Sequence, residues 1–143
     1  MRIRTMTSTD YDAVYRLWTG TPGMGMRSLD DSREGIEKFL NRNPGISFVA
    51  EADGNIIGVV LCGQDGRRGY LYHVAVDSKF RGQGVGKSLV EAATDALSGE
   101  GINRVSLVVY KENETGNGFW DALGFEKRTD LYYRNKSLNH KNM

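Results

Sequence analysis

The sequence lacks a pair of cysteines, a long apolar run and a strong net charge, and each absence excludes a class of protein. The single cysteine, Cys62, excludes an intrachain disulfide framework and favours a reducing compartment. No apolar stretch reaches the ~20 residues of a membrane span, and MRIRTMTSTD at the N-terminus has no apolar signal-peptide core. A net charge of +1 indicates neither nucleic-acid nor membrane binding. We therefore expect a cytoplasmic protein.

The content of apolar residues is that of an ordinary globular protein. A chain of 143 residues with 39% apolar and 26% charged residues is long enough to bury one core. We predict a single domain over residues 1–143, ordered to about residue 137 and followed by a frayed C-terminal tail. Cys62 lies in the apolar run IIGVVLCG, which predicts a buried small hydrophobe rather than a nucleophile.

Four segments have the apolar spacing of helices. Thr7 and Asp10 have capping-box spacing at the start of a helix that ends near Thr19. A second helix is predicted to start near Asp31, with acidic residues as its cap. A third follows the glycine-rich RGQGVG and ends at Gly99, and NETGNGFWDAL predicts a short fourth helix.

Strand patterns fill the intervals between these helices. SFVAEAD and IIGVVLCG flank Gly54 and Asn55, which is a hairpin pattern. The other predicted strands are IRTM, YLYHVAVD, INRVSLVVY and a last pair that includes DLYYR. The order βααβββαβαββ predicts a single α/β (α+β) domain with a mixed, mostly antiparallel sheet and helices on both faces.

The segment RGQGVGKS allows two kinds of phosphate-binding loop or an ordinary glycine-rich turn. A nucleoside-triphosphate loop would need glycine where the chain has Arg81, and no later strand ends in an aspartate for Mg²⁺. The dinucleotide pattern fails too, because Gly82, Gly84 and Gly86 have the wrong spacing. Two interpretations remain: an ordinary glycine-rich turn between a strand and a helix, or R-x-x-G-x-G as the pyrophosphate loop of a coenzyme A-binding protein.

Two ordered blocks identify a family resemblance. HVAVDSKFRGQGVGKSLVEAA resembles the fourth strand, pyrophosphate loop and third helix of the GNAT N-acetyltransferase superfamily, and VVYKENETGNGFWDALGF resembles its fifth strand and fourth helix. The order of predicted elements matches over nearly the whole chain, and the chain looks most like bacterial RimI-like or YpeA-like members. The resemblance implies that the fourth and fifth strands splay apart and that acetyl-CoA is the cosubstrate, with no metal.

The resemblance also assigns cofactor-binding residues. The pantetheine arm would pair with the fourth strand, and main-chain amides of the glycine loop would hold the pyrophosphate. Asn113 would bind the pantetheine arm or simply cap the fourth helix, and Lys87 would either face phosphate or be a solvated helix residue. The implied cofactor-binding residues are Val74, Ala75, Val76, Arg81, Gly82, Gln83, Gly84, Val85, Gly86, Lys87, Asn113 and Trp120.

The sequence departs from the family at both catalytic roles. Trp120 occupies the position of the usual tyrosine acid, and an indole N–H donates a hydrogen bond without being a useful proton donor. The fourth and fifth strands carry no glutamate base. His73 is the nearest candidate, because an ordinary imidazole titrates near ~6.5, although it can equally be a packed strand residue. Tyr110 and Tyr133 are further catalytic candidates, as proton relays or as packing residues.

The acceptor is left open by the sequence. In this family it would lie between TPGMGMRSLDD and TDLYYRN, where Asp30 and Asp31 can attract a cationic amine or cap the second helix. Arg67 and Arg68 can hold a carboxylate or form a solvated turn. Three hypotheses follow: transfer to a small amine, transfer to a peptide N-terminus, or a coenzyme A-binding sensor without turnover. Exposed strand edges also allow a homodimer.

Overall fold

A five-stranded mixed sheet with the strand order β1-β2-β3-β4-β5 carries four helices on its two faces. The computed structural model describes all residues, 1–143. The predicted single-domain α/β fold is confirmed. The strands are β1 (Arg2–Thr5), β2 (Phe48–Ala52), β3 (Asn55–Gln64), β4 (Gly69–Val76) and β5 (Val105–Ser106). The helices are α1 (Tyr11–Thr19), α2 (Arg33–Arg42), α3 (Val85–Gly99) and α4 (Glu114–Ala122).

Side chains bond the free main-chain N–H groups at the N-terminal ends of the first two helices. Before α1, the main-chain N–H of Thr7 donates to the Asp10 carboxylate at 2.9 Å, as the capping-box spacing predicts. At α2 the prediction of an acidic cap near Asp31 is wrong. Ser32 is the cap, because its Oγ accepts from the N–H of Gly35 at 3.0 Å. The Asp31 carboxylate is therefore free for other partners.

Two apolar cores lie on the two faces of the sheet. On one face α3 packs on the central strands, and this core includes Leu89 and Cys62, both fully buried. Gly58 permits that contact, since a Cβ there would lie 2.8 Å from Leu89 Cδ1. On the other face α1 and α2 supply a core that includes Trp18 and Ile36. No helix has the length and apolar character to span a bilayer.

Cys62 is buried as predicted. Burial, and then the nearby charge of Glu100, raise the pKa of its thiol to about 12. The thiolate is the reactive form of cysteine, so Cys62 is inert in the folded protein. Assays that detect a released thiol with a thiol reagent will therefore not be disturbed by this residue.

Strands β4 and β5 separate soon after they meet. They pair in parallel at only two positions, Gly69 with Val105 and Tyr70 with Ser106. From Leu71 onward β4 has no partner on that side, which confirms the predicted splay of the fourth and fifth strands. The predicted strand INRVSLVVY is thus paired only at its centre.

The predicted last pair of strands is absent. Residues 126–143 form neither helix nor strand. The alternating pattern of DLYYR buries nothing in the structure, since Leu131 is 62% exposed and Tyr132 is 91% exposed. The physical reason is the early end of β5: after Ser106 there is no paired strand edge on which a hairpin could continue.

The C-terminal residues lie against the loop between α1 and α2. The Asn142 side chain accepts from the main-chain N–H groups of Leu29 and Asp30 at 2.9 and 3.0 Å. Ser28 exchanges main-chain and hydroxyl hydrogen bonds with Met143 at 3.0 and 2.8 Å. The fraying of this tail stays a prediction, and these contacts are the ones that fraying would break.

Candidate active site

The glycine loop between β4 and α3 has the conformation that a main-chain anion site needs. Gly82 and Gly84 both have left-handed backbones, with φ of 76° and 81°, and no atom lies within 4 Å of a Cβ built at either position. Left-handed geometry favours glycine because a side chain is strained there. The loop therefore leaves its main chain open to solvent at the start of α3.

The amides of this loop are unpaired. None of the main-chain N–H groups from Arg81 to Lys87 donates a hydrogen bond within the protein, and the first internal bond is from Ser88 N to Gly84 O at 3.0 Å. Unpaired N–H groups at a helix start carry partial positive charge and attract anions. Arg81 has no acidic partner within 4 Å, whereas Lys87 lies 3.9 Å from Glu91. These residues fit a pyrophosphate.

The loop adjoins the gap between β4 and β5. Val74, Ala75 and Val76 lie on the part of β4 that lacks a partner on this side. A Cβ built at Gly86 would lie 3.1 Å from the Phe119 ring and 3.6 Å from Val76 Cγ2. Glycine at position 86 thus lets α3, α4 and β4 meet closely. The result is a cleft with one free strand edge, which an extended molecule can extend by main-chain hydrogen bonding.

Two asparagines fix the entrance to α4. Asn113 is the cap, and its Oδ1 accepts from Gly116 N at 2.9 Å. Its Nδ2 makes no hydrogen bond in the protein and can still donate to a ligand. Asn117, which sequence reasoning missed, donates from Nδ2 to Tyr110 O at 3.0 Å and to Asn113 O at 2.8 Å. It holds the segment after β5 against the helix.

Trp120 packs inside α4 rather than standing free in the cleft. Its ring makes edge contacts with Phe119 and Phe125, with ring centroids 4.9 and 5.0 Å apart. Its indole N–H has no partner in the protein. Since no buried side-chain N or O atom lacks a partner, that N–H reaches solvent. Trp120 can therefore donate a hydrogen bond to a partner outside the protein.

His73 occupies a bulge in β4. Val59 pairs with Ala75 and Leu61 pairs with Tyr72, so two β4 residues lie opposite one residue of β3. At the bulge His73 has a φ of 49°, a left-handed conformation that costs a non-glycine residue about 1–3 kcal/mol. Trp18 holds it there, because its Nε1–H donates to the carbonyl of His73 at 2.9 Å.

The His73 imidazole is held by two side chains, one from α1 and one from the loop before α2. Its Nε2 lies 2.8 Å from Asp31 Oδ1, and its ring makes an edge contact with Trp18 at a centroid distance of 5.1 Å. The His73 side chain is 17% exposed and that of Asp31 is 7% exposed. Sequence reasoning named both residues without pairing them, and no local pattern links positions so far apart.

The other nitrogen of His73 is open. Nδ1 makes no hydrogen bond in the protein, and since no buried nitrogen is left unpaired, Nδ1 reaches solvent. An ionised carboxylate at Nε2 accepts a hydrogen bond from the ring N–H, and a neutral imidazole bonded in this way has its lone pair on Nδ1. The site therefore presents a proton acceptor to the solvent side of β4.

The tyrosine candidates make no hydrogen bond to His73. Tyr110 is 65% exposed, and its hydroxyl lies 3.6 Å from a Cβ built at Gly25, in the loop between α1 and α2. Tyr133 is exposed and lies near Tyr70 and Tyr72. Burial, and then proximity to Tyr133 and Tyr72, raise the pKa of Tyr70 to about 12, so its phenol stays protonated at neutral pH.

The charged acceptor candidates take separate roles. Asp31 pairs with His73, whereas Asp30 is exposed and accepts from Asn142 Nδ2 at 2.8 Å. Arg67 and Arg68 form a turn in which both main-chain N–H groups donate to Asp65 at 2.8 Å. No group of three or more histidine, cysteine, aspartate or glutamate residues is placed to hold a metal ion.

Comparison with known proteins places these features in a family. The model of the GNAT acetyltransferase family matches residues 11–125. An acetyltransferase of Pectobacterium atrosepticum is 33% identical over 126 residues, which cover 88% of each chain.

Solved structures agree with that match at the level of the fold. The aminoglycoside acetyltransferase AAC(6')-Iy, bound to a bisubstrate analogue made of coenzyme A and monomethyl-acetylneamine, has a TM-score of 0.72 and 24% identity, with 95% of this chain and 98% of that chain covered. The ribosomal-protein-S18-alanine N-acetyltransferase of Escherichia coli has a TM-score of 0.70 and 21% identity, with 86% of this chain and 76% of that chain covered.

Proposed function

Because the chain belongs to the GNAT acetyltransferase family, we propose that it transfers the acetyl group of acetyl-CoA to a primary amine by direct attack in a ternary complex. The observation that carries the proposal is the run of unpaired amides from Arg81 to Lys87 beside the free edge of β4. Together they offer an anion site and an extended pairing edge in one continuous cleft.

The residues of the cleft divide the binding between them. Arg81 and the amides of residues 82–87 hold the pyrophosphate, and the main chain of Val74 to Val76 pairs with the pantetheine arm. The Nδ2 of Asn113 is free to donate to that arm while its Oδ1 caps α4. Bound in this way, acetyl-CoA supplies a thioester carbonyl for attack and a thiolate as leaving group.

His73 is the general base in this proposal. Its open Nδ1 takes one proton from the acceptor ammonium, and the freed amine lone pair forms a bond to the acetyl carbon. The main-chain N–H of Val74 or a neighbour in β4 stabilises the oxyanion that forms. The C–S bond then breaks with its electron pair on sulfur, which takes the second amine proton, and Nδ1 returns its proton to solvent.

The indole of Trp120 cannot protonate the sulfur. Its accessible N–H can donate a hydrogen bond to the sulfur. Tyr110 and Tyr133 are both exposed, and in this proposal they relay a proton through water or contact the acceptor. A thiolate is a tolerable leaving group, so transfer proceeds without a dedicated acid.

A peptide N-terminus is the second candidate acceptor. The observation in its favour is the exposure of Tyr72, Tyr110 and Tyr133, of which Tyr72 adjoins His73 on β4 and Tyr133 lies near Tyr72. Such a surface can bury the first side chains of a peptide as well as the rings of a small amine. The alternative without turnover, a coenzyme A-binding sensor, is favoured by Trp120 and by the absence of a glutamate from the fourth and fifth strands.

The first experiment is thermal unfolding with acetyl-CoA, coenzyme A or ATP–Mg²⁺ added separately. A ligand that binds only the folded state adds about 2.7 kcal/mol of stability at 100 times its Kd, which raises Tm by several degrees. We expect a shift with acetyl-CoA and with coenzyme A. A shift with ATP–Mg²⁺ alone, or with no ligand, would contradict the placement of the pyrophosphate.

A matched pair of glycine variants locates the pyrophosphate. Gly84→Glu puts a charge and a side chain into the left-handed loop, whereas Gly66→Glu makes the same change at another left-handed turn, with φ of 89°. Both variants should lose stability from backbone strain. Only Gly84→Glu should lose the acetyl-CoA shift. If both keep the shift, the loop is not the anion site.

A further inference from the structure

We propose that Asp31 is a positioning residue that fixes the tautomer of His73, so that Nε2 carries the ring proton and Nδ1 is the base. This inference rests on the proposed function for its catalytic meaning, but the tautomer itself is a property of the free protein. The Asp31 carboxylate and the imidazole come from segments 42 positions apart in the chain and meet at 2.8 Å. From the sequence alone we expect Asp31 to cap α2 or to attract a cationic amine, and in the structure Ser32 is the cap.

The Asp31 carboxylate is fully committed. Oδ2 accepts from the main-chain N–H of Arg27 at 2.7 Å, and Oδ1 faces His73 Nε2. With one oxygen held by an amide that is always a donor, the carboxylate has a single orientation in which the other oxygen meets the ring. An ionised carboxylate only accepts hydrogen bonds, so the proton in this contact must be on Nε2.

The main chain around Asp31 is held as firmly as its carboxylate. Its carbonyl accepts from the Tyr11 hydroxyl at 2.6 Å, and its N–H donates to Arg27 O at 3.0 Å. Gly35 lets the loop approach α2, since a Cβ there would collide with the carbonyls of Leu29 and Asp30. The carboxylate is therefore presented to His73 by a preorganised loop, which is what a positioning role requires.

His73 is held against that carboxylate from the other side. The bulge in β4 turns it out of the regular strand, and Trp18 binds its carbonyl and contacts its ring. A left-handed backbone at a histidine is costly unless its surroundings enforce it. A nearly buried acid is also costly unless it is hydrogen-bonded, and the imidazole supplies one of the partners of Asp31.

The other ionisable groups near the pair come from three elements. Tyr11 of α1 reaches the Asp31 carbonyl, and Arg33 of α2 lies over the Tyr11 ring at 4.8 Å. Tyr72 adjoins His73 on β4, and Asp30 adjoins Asp31 in the loop. Burial, and then nearby Tyr133 and Asp30, raise the pKa of Tyr72, so its phenol stays protonated at neutral pH. Asp31 is the one carboxylate that contacts the imidazole.

The test is the substitution Asp31→Asn, which keeps the size of the side chain but adds an amide donor. An amide NH₂ that faces Nε2 stabilises the other tautomer, with the proton on Nδ1, and so blocks the base. The readout that a structural role would not move is the ¹⁵N spectrum of the imidazole, recorded where the ring is neutral. The chain has only two histidines, and a His140→Gln variant assigns the remaining signals to His73.

We expect the Nε2–H tautomer in the protein with native Asp31 and the Nδ1–H form, or a mixture, in Asp31→Asn. The same tautomer in both proteins would overturn the proposal. Because this spectrum needs no substrate, it decides the position of the proton even if the protein transfers no acetyl group.

Kinetics supply the second readout, using whichever amine the wild-type protein accepts. Asp31→Asn should lower kcat by about 10²–10⁴-fold, the usual contribution of general base catalysis, with little change in KM for acetyl-CoA. Asp31→Glu should restore part of the rate, since it restores an acceptor-only group. Asp12→Asn is the control: it makes the same change at an exposed carboxylate that bonds Arg33 and does not contact the imidazole.

The outcomes separate the two proposals. If no amine is acetylated by the wild-type protein although acetyl-CoA binds, the proposed function fails and the tautomer result still stands. If transfer occurs and Asp31→Asn is as active as Asp12→Asn, the proposed function stands and the role of Asp31 is refuted.

Discussion

Single residues on β1 illustrate how a partly buried charge stabilises this fold. Arg4 lies between two carboxylates: it donates to Asp10 at 2.7 and 2.8 Å and also bonds Glu51. Burial raises the pKa of Asp10, but the hydrogen bonds from Arg4 and from the Thr7 main chain outweigh it and hold that pKa below its usual range. Arg4 thus links β1, the start of α1 and β2.

Arg4→Met tests this link while it keeps most of the apolar stem. It leaves the buried Asp10 carboxylate without its charged partner, so we expect the free energy of unfolding at pH 7 to fall by about 1–3 kcal/mol. Urea unfolding measures the loss. Arg2→Met is the control, since Arg2 is exposed on the same strand and forms no ion pair. Equal losses in the two variants would refute the role of Arg4.

The pH dependence follows from the lowered pKa of Asp10. A group whose folded pKa is depressed stabilises the fold above its unfolded pKa, near ~3.9 for aspartate, and that contribution is lost as the pH falls through the folded value. The wild-type protein should therefore lose stability below about pH 4. In Arg4→Met the Asp10 part of this acid loss should shrink, because only the hydrogen bonds from Thr7 then offset burial. Asp10→Asn should flatten the same part of the curve.

At the scale of elements, the loop between α1 and α2 connects the C-terminal tail with the proposed base. Residues 28–30 carry the tail contacts, and Asp31 follows directly. The loop has no regular structure of its own, so its geometry depends on the hydrogen bonds of Ser32, Tyr11 and Asn142. A change in the tail should therefore alter the mobility of the segment that holds Asp31.

Asn142→Ala removes the side chain that bonds Leu29 and Asp30. We expect faster amide hydrogen exchange at those two residues, with a loss of less than about 1 kcal/mol in global stability because the contacts are exposed. Hydrogen exchange resolved by NMR makes the measurement. Asn135→Ala is the control, since Asn135 makes no hydrogen bond. Unchanged exchange at residues 29 and 30 would mean that the tail frays in solution, as the sequence predicts.

For the whole molecule, the important feature is the incomplete sheet. The pairing of β4 with β5 ends after Tyr70, so the centre of the domain has a cleft rather than a continuous sheet. The glycine loop lies at one end of that cleft, and the bulge with His73 lies on its wall. A molecule bound there would contact β4, α3 and α4 together.

Coenzyme A binding should therefore protect two separate parts of the chain. We expect slower hydrogen exchange on addition of acetyl-CoA at the amides of Val74 and Val76, which face the free edge of β4, and at those of residues 81–87, because these groups gain acceptors. The exposed face of α2 is the internal control and should not change. Protection confined to other segments, or none, would contradict the position of the cleft. A homodimer stays a prediction, and a measurement of the molar mass in solution by light scattering would test it.

The features that could be predicted from the residues alone are those that depend on near neighbours in the sequence. The capping box at Thr7, the left-handed glycines and the burial of Cys62 all follow from spacing, backbone freedom and polarity within a few residues. The fold class and the glycine loop follow from these features in order, and the family resemblance adds the cofactor.

Contacts between residues that are distant in the sequence became known only from the folded structure. The bulge at His73 arises from the register of β3 with β4, and Trp18 reaches it across 55 positions of the chain. Asp31 lost the cap of α2 to Ser32 and gained the imidazole. The last hairpin failed because β5 leaves the sheet early. Each outcome depends on competition between partners from different segments, and no local pattern of residues contains that information.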